Sequence, residues 1–193
     1  MPAVQTTSAP TARHSLPRDL IRWLVTFLGY PLGGFVAWLV LGPVDSLAPA
    51  LLGGLVTGAI LGAVQAWGLA RDGRFFAQWS AATSVGLMAG LGLGATTVDY
   101  DTTLSALVIQ GAICGFFVGA AQAVVLRPTR GIPVLAWPFF LAVVWAAGWT
   151  VTTSAGIGVD EQFTVFGASG ALVVALLTLV LPFVLRRSDA RTR

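Results

Sequence analysis

The sequence predicts an all-α membrane protein of six transmembrane helices, arranged as three tandem hairpins in a pseudo-threefold bundle. Of its 193 residues, 56% are hydrophobic and only 10% are charged, a balance typical of proteins that cross the membrane several times. Apolar runs of roughly 20 residues, each long enough to cross the hydrocarbon core, occupy most of the chain. The third observation is an internal repeat of small residues.

The repeat is a ladder of glycines that ends in a polar residue. Gly111, Gly115, Gly119 and Gln122 each have a counterpart 57 positions earlier, and a third copy keeps nearly the same spacing. Small residues at i, i+4 and i+8 share one helix face and let helices approach closely, either within one chain or across a homo-oligomer. The predicted helix-packing faces are Gly54, Gly58 and Gly62; Gly111, Gly115 and Gly119; and Gly167, Ala171 and Ala175.

The predicted spans follow a polar N-terminal tail. Residues 1–19 are rich in Thr, Ser, Ala and Pro, which predicts a disordered cytoplasmic tail. A transmembrane domain covers 20–187, and a basic cytoplasmic tail covers 188–193. Pro31 predicts a kink in the first span. The spans are 20–42, 48–70, 79–98, 104–126, 134–153 and 163–185.

Each predicted hairpin begins with a tryptophan. Trp23, Trp79 and Trp137 each precede a glycine by eleven residues and open the helix before a glycine ladder. Tryptophans near span ends are typical interfacial anchors, and we expect that role here. Hairpins that repeat in one orientation are related by an axis near the membrane normal, which predicts the threefold closure. The hairpins are 20–71, 76–127 and 134–187.

Charge separates the two sides of the predicted bundle. All eleven basic residues are arginine, and they lie beside the two tails or in the connections that follow even-numbered spans. The positive-inside rule therefore predicts that both termini are cytoplasmic. Asp45, Asp99 and Asp160 in the opposite connections would form an external acidic ring. That ring is read either as solvated loop charges or as a mouth that concentrates cations.

The polar residues Gln65, Gln122 and Thr178 lie on nearly the same helix faces as the ladders, three residues further along. Side-chain amides need hydrogen-bond partners in hydrocarbon, where an interhelical bond contributes about 0.6 kcal/mol on average. We therefore predict a polar girdle that locks the three hairpins together. The alternative is that the same groups line a central site for a small polar or amphiphilic ligand.

The sequence lacks the residues that intramembrane chemistry usually requires. No predicted span carries an ionisable residue at depth, whereas pumps, metal transporters and intramembrane hydrolases usually contain one. No P-loop, metal-ligand cluster or Ser/His/Asp set is present, so we predict no catalytic residue, metal or cofactor. The charge is divided by membrane side, so we expect no nucleic-acid partner.

Two of the ladders carry a resemblance to known proteins. Gly58-x-x-x-Gly62-x-x-Gln65 is followed by Arg71, and Gly115-x-x-x-Gly119-x-x-Gln122 is followed by Arg127. They resemble a loose group of uncharacterised bacterial membrane proteins built of repeated helical hairpins, whose repeats typically read Gly-x-x-x-Gly-x-x-Gln-Trp and end in arginine. Here Ala66 and Ala123 follow the glutamines, and the third repeat has lost its glutamine. The resemblance implies a multi-pass protein of a bacterial inner membrane and no particular activity.

These patterns predict a non-catalytic packing or interaction protein, or a subunit of a membrane complex. The expected partners are the lipid bilayer and either further copies of the chain or other membrane subunits, and no small-molecule ligand is identified. The alternative is a transporter of a small solute or lipid-like ligand, or its substrate-binding subunit. Substrate-binding subunits of energy-coupling-factor systems are similar in size and span number, although a threefold hairpin repeat is not what that similarity predicts.

Overall fold

The computed structural model describes residues 16–69, 72–130, 132–158 and 167–182, and every regular element in these segments is helical. The predicted all-α class is therefore confirmed. Short 3-10 turns precede the second and sixth helices, at Thr26–Leu28 and Ile132–Ala136. The helices are α1 Leu16–Val25, α2 Gly29–Leu41, α3 Leu47–Leu69, α4 Gly73–Thr97, α5 Leu104–Arg130, α6 Trp137–Ser154 and α7 Ala168–Leu177.

Four helical stretches in the described segments are long and apolar enough to cross a membrane. Less than half of the most apolar part of each is buried inside the bundle. Large apolar side chains, such as Val40, Val124 and Val143, point outward instead. An apolar outer surface of this extent suits hydrocarbon better than water. The stretches are Leu16–Leu41, Leu47–Leu69, Leu104–Leu126 and Val134–Ser154.

Two of the predicted spans correspond to helices that are not among these four stretches. α4 has 25 residues and is long enough, but Gly, Ala, Ser and Thr dilute its apolar character. These small residues are there because α4 packs closely on both α3 and α5. α7 belongs to a shorter apolar stretch, Ala168–Pro182. The predicted sixth span, 163–185, extends at both ends outside the described residues.

Successive helices pack as antiparallel neighbours. Gly29 of α2 lies against Leu61 of α3, and Gly33 lies against Thr57, so the two helices run in opposite directions. Reversed contacts of the same kind join α3 to α4, α4 to α5 and α5 to α6. α7 packs on α6 and also on the segment that contains α1 and α2. The first and last helices are therefore neighbours, and the core lies inside a closed circuit of helices.

The N-terminal part of the fold differs from the prediction in two respects. α1 begins at Leu16, so residues 16–19 of the predicted tail are helical, and residues 1–15 lie outside the described segments. α2 runs through Pro31 as a continuous helix, and an irregular turn that the sequence did not predict lies just before it, at Thr26–Leu28. The kink at Pro31 itself stays a prediction. Proline has no N–H to offer the carbonyl of Phe27, four residues earlier. The tighter turn, in which the Gly29 N–H bonds to the Thr26 carbonyl, accommodates that loss.

The buried apolar residues form two clusters, and the predicted girdle residues fall between them along three helices. Leu61, Val118 and Val174 belong to the larger cluster. About one and a half to two turns further along the same chain segments, Ala66, Ala123 and Leu181 belong to the smaller cluster. Between these positions lie Gln65, Gln122 and Thr178.

Candidate functional site: a polar network inside the bundle

Three tryptophan indoles donate hydrogen bonds to the three predicted girdle residues. In each pair, the indole comes from a helix next to the polar residue. An indole on α4 pairs with a residue on α3, one on α6 with a residue on α5, and one on α1 with a residue in the turn that ends α7. Each bond therefore joins two helices that belong to different predicted hairpins. The distances are 3.2 Å from Trp79 Nε1 to Gln65 Oε1, 3.0 Å from Trp137 Nε1 to Gln122 Oε1, and 3.2 Å from Trp23 Nε1 to Thr178 Oγ1.

A direct bond between two side-chain amides connects α3 to α5. Gln122 Nε2 donates to Gln65 Oε1 at 3.3 Å and to Thr83 Oγ1 of α4 at 3.0 Å. Both amides are buried, and an unpaired amide in an apolar interior costs several kcal/mol. The network thus satisfies its members from within the chain, and it ties α3, α4 and α5 together at one level.

The tryptophans that head the predicted hairpins are not interfacial anchors, so that expectation is wrong. Trp23 is 2% exposed and Trp79 is 0% exposed, and Trp137 is half-buried. A buried indole usually finds an acceptor for its N–H, and here the acceptors are the girdle residues. Trp38 and Trp67, in contrast, are exposed and remain suited to an interfacial role.

Two members of the network escape prediction from the sequence. Thr83 is one of several hydroxyl residues in a small-residue helix, and nothing in the sequence distinguishes it. Tyr30 is buried, interacts with the Gln65 amide through its hydroxyl, and packs edge-on against Trp145 with ring centroids 5.6 Å apart. The tryptophans did carry a signal, because their spacing to a later glycine recurs in each predicted hairpin.

A small cavity lies beside the network. Tyr30, Gln65, Gln122 and Thr178 form its polar lining, together with the indoles of Trp23 and Trp137. The space open to the centre of a water molecule is ≈ 10 Å³, about what a single water requires. Pockets for small organic ligands are far larger, roughly 300–1,000 Å³. This cavity therefore has no room for a solute of that size.

The first two glycine ladders pack inside the chain. Gly54, Gly58 and Gly62 of α3 face α4, and the second ladder, on α5, faces α6. A Cβ atom at Gly58 would lie 2.6 Å from Ser84 Cα, and one at Gly119 would lie 2.6 Å from Pro138 Cα. Because no side chain fits at these distances, both faces are already occupied by contacts within the chain.

The third ladder is buried, and a glycine outside it makes a close contact with α6. Gly167, Ala171 and Ala175 are all buried in the described part of α7 and at its N-terminal end. The close approach to α6 is made by Gly170, which lies against Gly148 and the Thr152 side chain. The Gly170 N–H donates to Thr152 Oγ1 at 3.0 Å.

The predicted acidic ring is only partly within the described residues. Asp45 and Asp99 are exposed in the connections after α2 and α4, and Asp160 lies outside the described segments. Asp101, which follows Asp99, accepts hydrogen bonds from the Thr103 hydroxyl and N–H, and these bonds hold the pKa of its carboxyl below its usual range. No cluster of three or more His, Cys, Asp or Glu side chains suited to a metal occurs among the residues that the structure describes.

Comparison with known proteins gives no relative for this chain. No family model matches it, no curated protein is significantly similar to it, and no solved structure matches its fold significantly.

Proposed function

We propose that the chain is a multi-pass protein of a bacterial inner membrane, with six spans in three hairpins and both termini in the cytoplasm. Four apolar helices of sufficient length support membrane insertion. The antiparallel packing of α4 between α3 and α5 supports counting α4 as a span, because its neighbours are both apolar enough to cross. The confinement of arginine to alternate connections supports the orientation.

Within that membrane, we propose a non-catalytic packing or interaction protein, which serves as a subunit or assembly partner of a membrane complex. The observation that carries this proposal is that the buried polar side chains form hydrogen bonds to side chains of neighbouring helices. Gln65, Gln122 and Thr178 are bonded to indoles of neighbouring helices. Satisfied hydrogen-bond networks of this kind rigidify a protein core, which favours a structural role for these groups over recognition of a solute.

The partners proposed are lipid and other membrane-embedded chains, either further copies or different subunits. Since the first two ladders are used within the chain, such a partner would contact the outward apolar faces, where Val124 and Val143 are exposed. We propose no cofactor, metal or nucleic-acid partner.

Native mass spectrometry of the protein, extracted gently from its own membrane, tests this function. We expect a defined protein partner or a homo-oligomer, without a stoichiometric small molecule. Co-purification of a small solute or a specific lipid in fixed stoichiometry would instead support the transport or ligand-binding alternative. In that case the ligand must lie at a place other than the water-sized cavity, or the bundle must open to admit it.

A further inference from the structure

We propose that the cavity beside the network is a binding site for one water molecule, which connects Thr178 to Gln122. The cavity has the volume of a single water and is lined by four polar side chains. Buried waters typically make about three hydrogen bonds to groups that would otherwise lack a partner. This inference does not depend on the function proposed above.

The lining groups have hydrogen-bonding capacity for such a water. Among the described residues, Gln122 Oε1 receives one bond, from Trp137, and an amide oxygen has two lone pairs. Thr178 Oγ1 receives the Trp23 indole and donates to the Val174 carbonyl at 2.7 Å, which leaves one lone pair on the hydroxyl oxygen. A water can donate to both oxygens at once, and this would join the two ends of the network.

The sequence suggests why the space exists. If the hairpins are repeats, Thr178 stands where the other two carry glutamine. Threonine is the shorter side chain and has no amide, so it cannot reach across the centre as Gln122 reaches Gln65. The water takes the place of the missing amide. This step rests on the repeat proposed above, whereas the cavity and its lining do not.

The chemistry of the lining favours water over a cation of similar size. None of the described lining residues carries a charge, and an unpaired ion inside a membrane protein is costly. Trp23 and Trp137 also direct their indole N–H edges at oxygen atoms of the network. Each of these oxygens already accepts an indole N–H, which leaves fewer lone pairs to coordinate a cation.

Radiolytic labelling in lipid nanodiscs tests the proposal, because X-ray pulses convert a bound water into hydroxyl radicals that oxidise its neighbours. Trp23 and Trp79 form a matched pair: both are buried and both donate an indole bond. Of these two tryptophans, Trp23 lines the cavity and Trp79 does not. We expect Trp23 to be oxidised several-fold faster than Trp79. Equal rates would overturn the proposal.

Two variants locate the source of the label. Thr178→Gln supplies the missing amide, and Val118→Ile adds a methyl group at a lining position. In either variant that folds, we expect oxidation of Trp23 to fall to the rate of Trp79; an unchanged rate overturns the proposal. If neither variant folds, the comparison in the unmodified protein decides alone. A melting temperature raised by ammonium or potassium, relative to choline at equal ionic strength, would show a cation site and overturn it as well.

Discussion

Replacing Gln122 by leucine should destabilise the bundle measurably without changing its outer surface. The Gln122 side chain makes three interhelical hydrogen bonds, to Gln65, Thr83 and Trp137. At about 0.6 kcal/mol for each bond, their loss amounts to roughly 2 kcal/mol. The indole N–H of Trp137 would also lose its acceptor, and an unsatisfied buried donor costs roughly 1–3 kcal/mol. We therefore expect the free energy of unfolding of Gln122→Leu to fall by roughly 3–5 kcal/mol.

Reversible unfolding of the protein in mixed micelles, titrated with a denaturing detergent, measures this change. Gln110→Leu is the matched control, because Gln110 is on the same helix and 8% exposed, against 2% for Gln122. The Gln110 side chain makes no hydrogen bond to the described residues, so we expect a much smaller loss for the control. Equal losses for the two variants, or a loss below about 0.5 kcal/mol for Gln122→Leu, would refute the idea that the network holds the hairpins together.

Three further predictions concern the ladders, the orientation and the indole bonds. Gly58→Leu should prevent the close contact of α3 with α4, so that no folded protein elutes on size-exclusion chromatography. Gly73→Ala should be tolerated, because no atom lies within 4 Å of the Cβ position at Gly73. A well-folded Gly58→Leu protein would contradict the packing. In a cysteine-free background, an impermeant thiol reagent added outside intact cells should label Asp45→Cys and not Arg74→Cys, and the opposite pattern would reverse the proposed topology. Trp79→Phe removes one indole bond at a fully buried site and leaves a cavity where the larger ring packed, so the free energy of unfolding in the same titration should fall by more than the ~0.6 kcal/mol of the bond alone. An unchanged stability would show that this bond contributes nothing.

The helical class was predictable because apolar run lengths and small-residue spacing are local properties of the chain. The glycines of α3 and the first polar residue, Gln65, could be placed on one helix face by counting residues. The partner of that face could not be predicted. Whether Gly58 meets α4 or a second molecule depends on the fold of the whole chain, and the structure places Ser84 there.

The composition of the network shows where prediction from the sequence fails. Trp79 and Trp23 lie near predicted span ends, and general statistics for membrane proteins favour an interfacial role for such residues. The structure turns both indoles inward, where their N–H groups donate to Gln65 and Thr178. Hydrogen-bond pairing of this kind depends on side-chain direction, and hydropathy carries no information about direction.

The pairing of each polar residue with an indole from another hairpin imposes an order on biogenesis. If the chain inserts into the membrane in sequence order, as the proposed topology implies, Gln65 enters before Trp79, and its amide has no indole partner until α4 arrives. The bond from Trp23 to Thr178 spans 155 residues of sequence and forms only when the last helix is in place. A truncated chain would therefore display an unpaired polar group to lipid, a mark by which membrane quality-control proteases could distinguish incomplete from finished molecules.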